Sequence, residues 1–217
     1  MEEILKAIPL FANLQDEAIN SIASHVITKS FPKNSIIIND GDETSSMYII
    51  KSGKVKAFLS NEDGKEVILS IMNTGDYFGE LSLLDSAPRS ASIMTMEPCK
   101  FFIINKENFE QSLEAHPDIA RNLVTELSRM VRKLTENVRG LALMDVYGRV
   151  AHTLLDMAED IDNVKVINQK LTHQDIARMV GSSREMVSRI MKDLQMGGYI
   201  TSESKRIVIN EKLPPGW

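Results

Sequence analysis

The sequence predicts an α+β chain: short antiparallel strands closed into a sandwich or roll, then a long helix, then a C-terminal winged helix-turn-helix. Three observations predict it. Gly41, Gly53, Gly64 and Gly75 recur at steps of 12, 11 and 11, with β-rich runs between them. Apolar residues then step by 3 and 4 along residues 124–141. Polar capping pairs stand on both sides of Gly181 within residues 171–200.

The strand runs are SIIIN (35–39), SMYIIKS (46–52), KVKAFLS (54–60), KEVILSIM (65–72), SASIMTM (90–96) and CKFFIIN (99–105). Asp40-Gly41, Ser52-Gly53, Asp63-Gly64 and Thr74-Gly75 punctuate them as turns. Short strands at this spacing indicate an antiparallel sandwich or roll. A repeat solenoid fits less well, because the segments differ in sequence.

From residue 117 to 144 the period changes. Val124, Leu127, Val131, Leu134, Val138 and Leu141 follow the 3–4 alternation of a coiled-coil seam, flanked by Arg129, Arg132, Lys133 and Glu136. Such a helix either lies on its own domain or pairs with a second copy, and the strict alternation favours a homodimer. Asp145 reads as the N-cap of a further helix through about Met157. These boundaries divide the chain into 1–116, 117–144 and 145–217.

In LTHQDIARMVGSSREMVSRIMKDLQMGGYI (171–200), Thr172 and Asp175 form a capping-box pair, and Ser182 with Glu185 a second one. Gly181 breaks the chain between two short amphipathic helices, and Gly197-Gly198 ends the second. This is a helix-turn-helix. YITSESKRIVIN (199–210) adds a two-strand hairpin, hence a winged variant. Arg184, Glu185, Ser188 and Arg189 share the face opposite the apolar stripe of the second helix. Arginine reads guanine O6 and N7, and a carboxylate accepts from cytosine N4. Glu185 repels phosphate, so a purely electrostatic binder would avoid it there. Its other reading is a capping residue.

The net charge is −5, but it is unevenly spread. Residues 163–206 carry 8 basic and 4 acidic side chains, a local +4 suited to phosphate. The N-terminus MEEILKAIPLF lacks the positive charge of a secretory leader, and no apolar run is long enough to span a membrane. A single cysteine, Cys99, excludes a disulfide framework and an iron–sulfur cluster. The expected location is the cytoplasm. His25, His116, His152 and His173 have no metal-ligand spacing, so no metal is expected.

One stretch carries binding chemistry: YFGELSLLDSAPRSAS, residues 77–92. Gly79 permits close backbone approach, and Glu80–Leu84 fits one helical turn with amides free for an anion. Arg89 and Ser90 add a cation and a hydroxyl for phosphate, while Glu80 can accept only from hydroxyls, as on a ribose, or orient Arg89. The competing reading is an internal Glu80–Arg89 ion pair.

FGELSLLDSAPRSAS resembles the phosphate-binding cassette of cyclic-nucleotide-binding domains. With the seam helix and VGSSREMVSRIMKDL, residues 5–210 resemble the cyclic-AMP receptor protein family of bacterial transcription regulators. The resemblance implies an N-terminal β-roll that binds a cyclic nucleotide, a dimerisation helix and a winged helix-turn-helix. It implies that Gly79 and Glu80 meet the ribose, that Arg89 and Ser90 meet the cyclic phosphate, and that Leu81, Val67 and Leu69 lie against the nucleotide. The family's adenine-holding Thr-Ser pair falls on Leu134-Thr135, where only Thr135 keeps a hydroxyl. That departure weakens adenine recognition; cyclic AMP remains the leading effector, with cyclic GMP, a cyclic dinucleotide such as cyclic di-GMP, or no obligatory ligand left open. On the DNA side the resemblance implies that Arg184, Glu185 and Arg189 read a palindromic TGTGA-like site. Gln174 and Ser183 would touch phosphate, with Lys192 and Lys205 as weaker candidates and RNA polymerase as a further partner. Two other classes compete: a nucleotide-sensing module acting on a protein partner, and a cyclic-nucleotide phosphodiesterase. The absence of a recognisable His/Asp metal cluster speaks against an enzyme.

Overall fold

The computed structural model describes residues 2–6, 8–162, 164–169, 171–203 and 206–213. In chain order these form α1 (Glu2–Lys6), α2 (Asp16–Ser24), β1 (Ile27–Phe31), β2 (Ile36–Ile38), β3 (Ser46–Ser52), β4 (Val55–Ser60), β5 (Glu66–Met72) and β6 (Tyr77–Phe78). There follow α3 (Leu81–Asp85), β7 (Ser92–Thr95), β8 (Cys99–Asn105), α4 (Lys106–Ala115), α5 (Pro117–Leu143) and α6 (Val146–Met157). The chain ends with β9 (Glu159–Ile161), β10 (Val164–Ile167), α7 (His173–Val180), α8 (Arg184–Met196), β11 (Ile200–Glu203) and β12 (Arg206–Ile209). The molecule divides into two compact units, 1–64 with 69–132, and 65–68 with 133–217.

The first unit is an antiparallel roll of two four-stranded sheets, ordered β1-β8-β3-β6 and β2-β7-β4-β5. Side chains from both sheets meet between them: Ile38, Val55, Ala57 and Ile93 from one, Ile50, Phe78 and Phe101 from the other. The outer face of the first sheet is buried too. Met47, Ile49, Phe102 and Ile104 pack beneath Leu5, Phe11, Ile19, Ile22, Phe109, Ile119 and Leu123. Strands β3 and β8 are thus buried on both faces, which explains why they read as near-continuous apolar runs rather than alternating ones. Asn122 on α5 donates from Nδ2 to the carbonyls of Leu10 and Ala12, at 3.1 and 2.9 Å, tying the N-terminal segment to the helix.

The strands expected at 46–52 and 99–105 form with those bounds. Strand β1 was not foreseen, because its sequence ITKSF is an exposed edge with no alternation to detect. Helix α5 runs 27 residues, ending one short of the expected Met144. Its first turns are anchored by buried Ile119 and Leu123, but farther along the seam emerges. Val124, Val131, Val138 and Leu141 are 60–64 % exposed and Leu134 is 49 % exposed, far more than isolated surface aliphatics need be.

In the second unit Asp145 caps α6 as expected, its Oδ1 accepting from the Gly148 amide at 2.7 Å. Helices α6, α7 and α8 pack on one core of Tyr147, Val150, Leu154, Ile176, Val180, Val187, Ile190 and Leu194, closed by Ile200, Ile207 and Ile209. The wing is larger than the expected hairpin. Strands β11 and β12 are joined by β10 and β9 into one sheet, ordered β11-β12-β10-β9. Strand β9 is exposed at all three residues, so no apolar pattern marks it.

Candidate nucleotide cassette and DNA-reading face

Residues 77–92 form a compact loop around a buried guanidinium. Arg89 is 4 % exposed and its backbone is clamped, its amide donating to the Asp42 carbonyl and its carbonyl accepting from the Gly41 amide. Its Nε donates to Thr44 Oγ1 at 3.1 Å. Its Nη1 donates to the Gly79 carbonyl at 2.7 Å and to Ser82 Oγ at 2.6 Å. Its Nη2 donates to the Ser46 carbonyl at 2.7 Å. Gly79 is shaped by this arrangement. Its φ is +85°, and an added Cβ would sit 2.7 Å from Arg89 Nη1 and 2.8 Å from the Ser46 carbonyl. Only glycine tolerates both the backbone conformation and the approach.

Glu80 is also buried, at 4 % exposure, immediately before α3. Burial raises its carboxyl above the ordinary range, against a hydrogen bond from its own backbone amide and the charge of Arg89. Arg89 is pulled down by burial and held up by Tyr48, Glu80 and Asp42. The two groups feel each other's field, yet the hydrogen bonds of the guanidinium go to Thr44, Gly79, Ser82 and Ser46 rather than into a paired bridge. A carboxylate in this position is kept at a cost to folding.

That cost has a sign that can be checked. A carboxyl raised in the folded state contributes stability that is present below its unfolded value and lost as pH rises through the folded one. Glu80→Gln removes this loss. The variant is expected to melt higher than the parent at pH 8, with the gap narrowing toward pH 4.5. Melting curves that run parallel across that range contradict a raised Glu80.

The remaining candidates are less enclosed. Ser90 is exposed beside Arg89, and Leu81 is 36 % exposed on α3. Val67 and Leu69 share one face of β5, at 37 % and 38 %, alternating with buried Ile68. Leu134 and Thr135 lie on α5 within the second unit. Thr44 and Ser82 were not anticipated as contributors. Ser82 stands inside the stretch singled out from the sequence, but Thr44 lies 45 residues from Arg89 and carries no local signal.

The second unit presents the other face. The capping box forms as expected: Thr172 Oγ1 accepts from the Asp175 amide at 3.1 Å, and Asp175 Oδ2 accepts from the Thr172 amide at 3.0 Å. Gly181 ends α7 in the left-handed conformation, at φ +63°. The second cap differs from expectation. Ser183, not Ser182, caps α8, its hydroxyl accepting from the Met186 amide at 3.2 Å. Glu185 therefore sits second in the helix, one position short of the reciprocal capping place, and the capping reading of its carboxylate falls. Arg184, Glu185, Arg189 and Lys192 are exposed along one side of α8, with Ser188 half-buried between them. Val187, Ile190, Met191 and Leu194 fill the opposite side. Gln174 is exposed at the start of α7. Lys205 lies outside the described residues.

No group of three or more His, Cys, Asp or Glu that could hold a metal occurs among the described residues. No described helix is long and apolar enough to cross a membrane.

Known proteins match this layout. Residues 28–116 match the cyclic nucleotide-binding domain, and residues 148–212 match the Crp-like helix-turn-helix domain. The cAMP-activated global transcriptional regulator CRP of Escherichia coli O157:H7 is 35% identical over 198 residues, covering 89% of this chain and 94% of that protein. The CRP-like cAMP-activated global transcriptional regulator of Mycobacterium tuberculosis H37Rv is 32% identical over 215 residues, covering 97% and 96%. Among solved structures, the c-di-GMP responsive global regulator CLP of Xanthomonas campestris superposes with a TM-score of 0.77 at 26% identity, covering 91% of this chain and 100% of that one. With a nucleotide-binding roll, a long helix and a Crp-like helix-turn-helix in that order, the chain belongs to the CRP family of transcription regulators.

Proposed function

We propose that the protein is a homodimeric, sequence-specific DNA-binding regulator, rather than an enzyme, and that a cyclic nucleotide in the cassette switches it, with cyclic AMP as the favoured effector. The observation that carries this reading is the buried Glu80–Arg89 pair of side chains beside Gly79. A fixed cation and an acceptor-only carboxylate, both costly to bury, suit a phosphate and a sugar hydroxyl. The exposed stripe of α5 supports pairing through Val124, Val131, Leu134, Val138 and Leu141. Pairing would set two α8 helices in successive major grooves, roughly 34 Å apart.

The base is where a second reading enters. Leu134 stands where cyclic-AMP-responsive relatives carry a hydroxyl, and one similar structure is that of a c-di-GMP responsive regulator. Calorimetric titration with cyclic AMP, cyclic GMP and cyclic di-GMP separates them. The favoured reading expects saturable binding of cyclic AMP, the tightest of the three. Tighter binding of cyclic di-GMP transfers the effector role to it, and heat from none of them removes the ligand from the reading.

On the DNA side, Glu185→Ala is expected to relax preference at one base pair of each TGTGA-like half-site, worth about 1–3 kcal/mol of discrimination. Non-specific affinity should hold or rise, because a charge that repels phosphate is lost. Lys192→Ala should instead weaken binding to all sequences alike and lower the salt dependence. Competition binding against single-base variants of the palindrome distinguishes these patterns, and an unchanged preference profile for Glu185→Ala sinks its reading role.

A further inference from the structure

The hydrogen bonds of Arg89 assign a role to two residues that the family resemblance does not reach. A guanidinium has five N–H donors. Nε is used by Thr44, both Nη1 donors by Gly79 and Ser82, and one Nη2 donor by Ser46. Among the described residues, one N–H on Nη2 is left over. The side chain also keeps only 4 % of its surface, so a ligand meets it at an edge, not across the fork. Arginine usually grips a phosphate through two parallel donors. Here the protein has already taken the second.

We infer that the hydroxyls of Thr44 and Ser82 are positioning residues that hold Arg89 with a single free donor, and that this restriction selects a singly charged phosphodiester over a doubly charged phosphomonoester. The inference rests on the cassette reading above. Two features support it. First, Ser82 is itself buried, at 6 % exposure, and its Oγ lies 3.3 Å from the Gly79 carbonyl and 3.4 Å from the Thr44 carbonyl. It can accept from Arg89 while donating to one of these, so its orientation is fixed by its own bonds. Second, the charge balance is tight. Buried Arg89 already feels two carboxylates, buried Glu80 and half-buried Asp42, so a monoanion adds one further negative charge to the site and a dianion adds two with only one donor to meet them. Freezing the guanidinium in advance also removes the side-chain entropy that binding would otherwise cost.

Thr44 is the cleaner position to test, because it is exposed and Thr44→Val keeps its shape. Affinities for cyclic AMP and cyclic GMP, each against its own 5′-monophosphate, would be measured by calorimetry for the parent, Thr44→Val, Thr44→Ser, Ser82→Ala and Arg89→Ala. Thr44→Val and Ser82→Ala are expected to weaken the cyclic ligand about tenfold. They should weaken the 5′-monophosphate less or strengthen it, so that the cyclic-to-acyclic ratio shrinks, and Thr44→Ser should restore the parent ratio. An unchanged ratio in both brace variants, with Arg89→Ala still abolishing binding, overturns the selection role while leaving the cassette reading intact. Full affinity in Arg89→Ala, or no nucleotide binding by the parent, overturns both. A ligand-free measurement covers a variant that folds poorly: the Arg89 Nε–H resonance should be protected from solvent exchange in the parent and in Thr44→Ser, and lose protection in Thr44→Val. Equal protection in all three overturns the brace.

Discussion

Replacing Val131 and Val138 together with glutamate is expected to yield a folded monomer that no longer binds a palindromic operator tightly. Both side chains are more than 60 % exposed on the single chain, at 62 % and 64 %, so neither substitution disturbs a core. In a pair of α5 helices the same positions face their counterparts, and glutamate there places like charges in a desolvated seam. The loss on DNA exceeds the loss of any one base contact. Two linked recognition helices gain a further factor of about 10²–10⁴ over one, through effective concentration, and a monomer forfeits it. Sedimentation should show a monomer with an unchanged melting profile for the first unit, and affinity for the full palindrome should fall to that for a half-site. A variant that stays dimeric, or binds the palindrome as the parent does, removes α5 from the interface.

Arg89→Ala is expected to abolish effector binding, by about a hundredfold or more. Hydrogen bonds to charged groups contribute about 1.5–3 kcal/mol, and here the cation meets an anion in a buried site. The substitution also strands what Arg89 now satisfies. The carbonyls of Gly79 and Ser46 each lose the guanidinium donor, leaving only the longer Ser82 hydroxyl contact at Gly79, and Glu80 loses the charge that offsets its burial. The loop 77–92 should therefore loosen as well. Arg89→Lys separates the two effects: one ammonium restores the charge but cannot span Thr44, Gly79, Ser82 and Ser46. It should recover stability better than affinity. Calorimetry and thermal melting on the two variants check this, and a hundredfold loss that lysine fully repairs contradicts a role for the guanidinium's geometry.

How far the sequence reached depends on how local each signal is. Helix α5 was legible to within a residue, because its alternation and charged flanks need only neighbours three and four apart. Strands β3 and β8 were legible because both their faces are buried. Edge strands β1 and β9 were not, since exposure erases alternation. The helical cover over the first sheet, from Leu5, Phe11, Ile19 and Ile22, was hidden for a different reason: a short amphipathic segment does not say which sheet it will cover. At the cassette, Gly79, Glu80 and Arg89 stood out as chemically incongruous neighbours. The brace from Thr44 and Ser46 comes from contacts across more than 40 residues, which no spacing rule contains. The cap of α8 illustrates the finest limit. Ser182 and Ser183 are adjacent and chemically identical, and only the left-handed turn at Gly181 decides that the second one caps the helix.

The most direct test of a nucleotide-switched DNA-binding dimer is fluorescence anisotropy on a labelled palindromic TGTGA duplex, with and without saturating cyclic AMP. Moving a two-state regulator from mostly inactive to mostly active takes about 5.5 kcal/mol of preference for the active state, so the effect on apparent affinity is large when the switch is real. The account predicts weak binding without nucleotide, at least about a hundredfold tightening with it, and no tightening for Arg89→Ala. Equal affinity for the duplex with and without every cyclic nucleotide tested would contradict it.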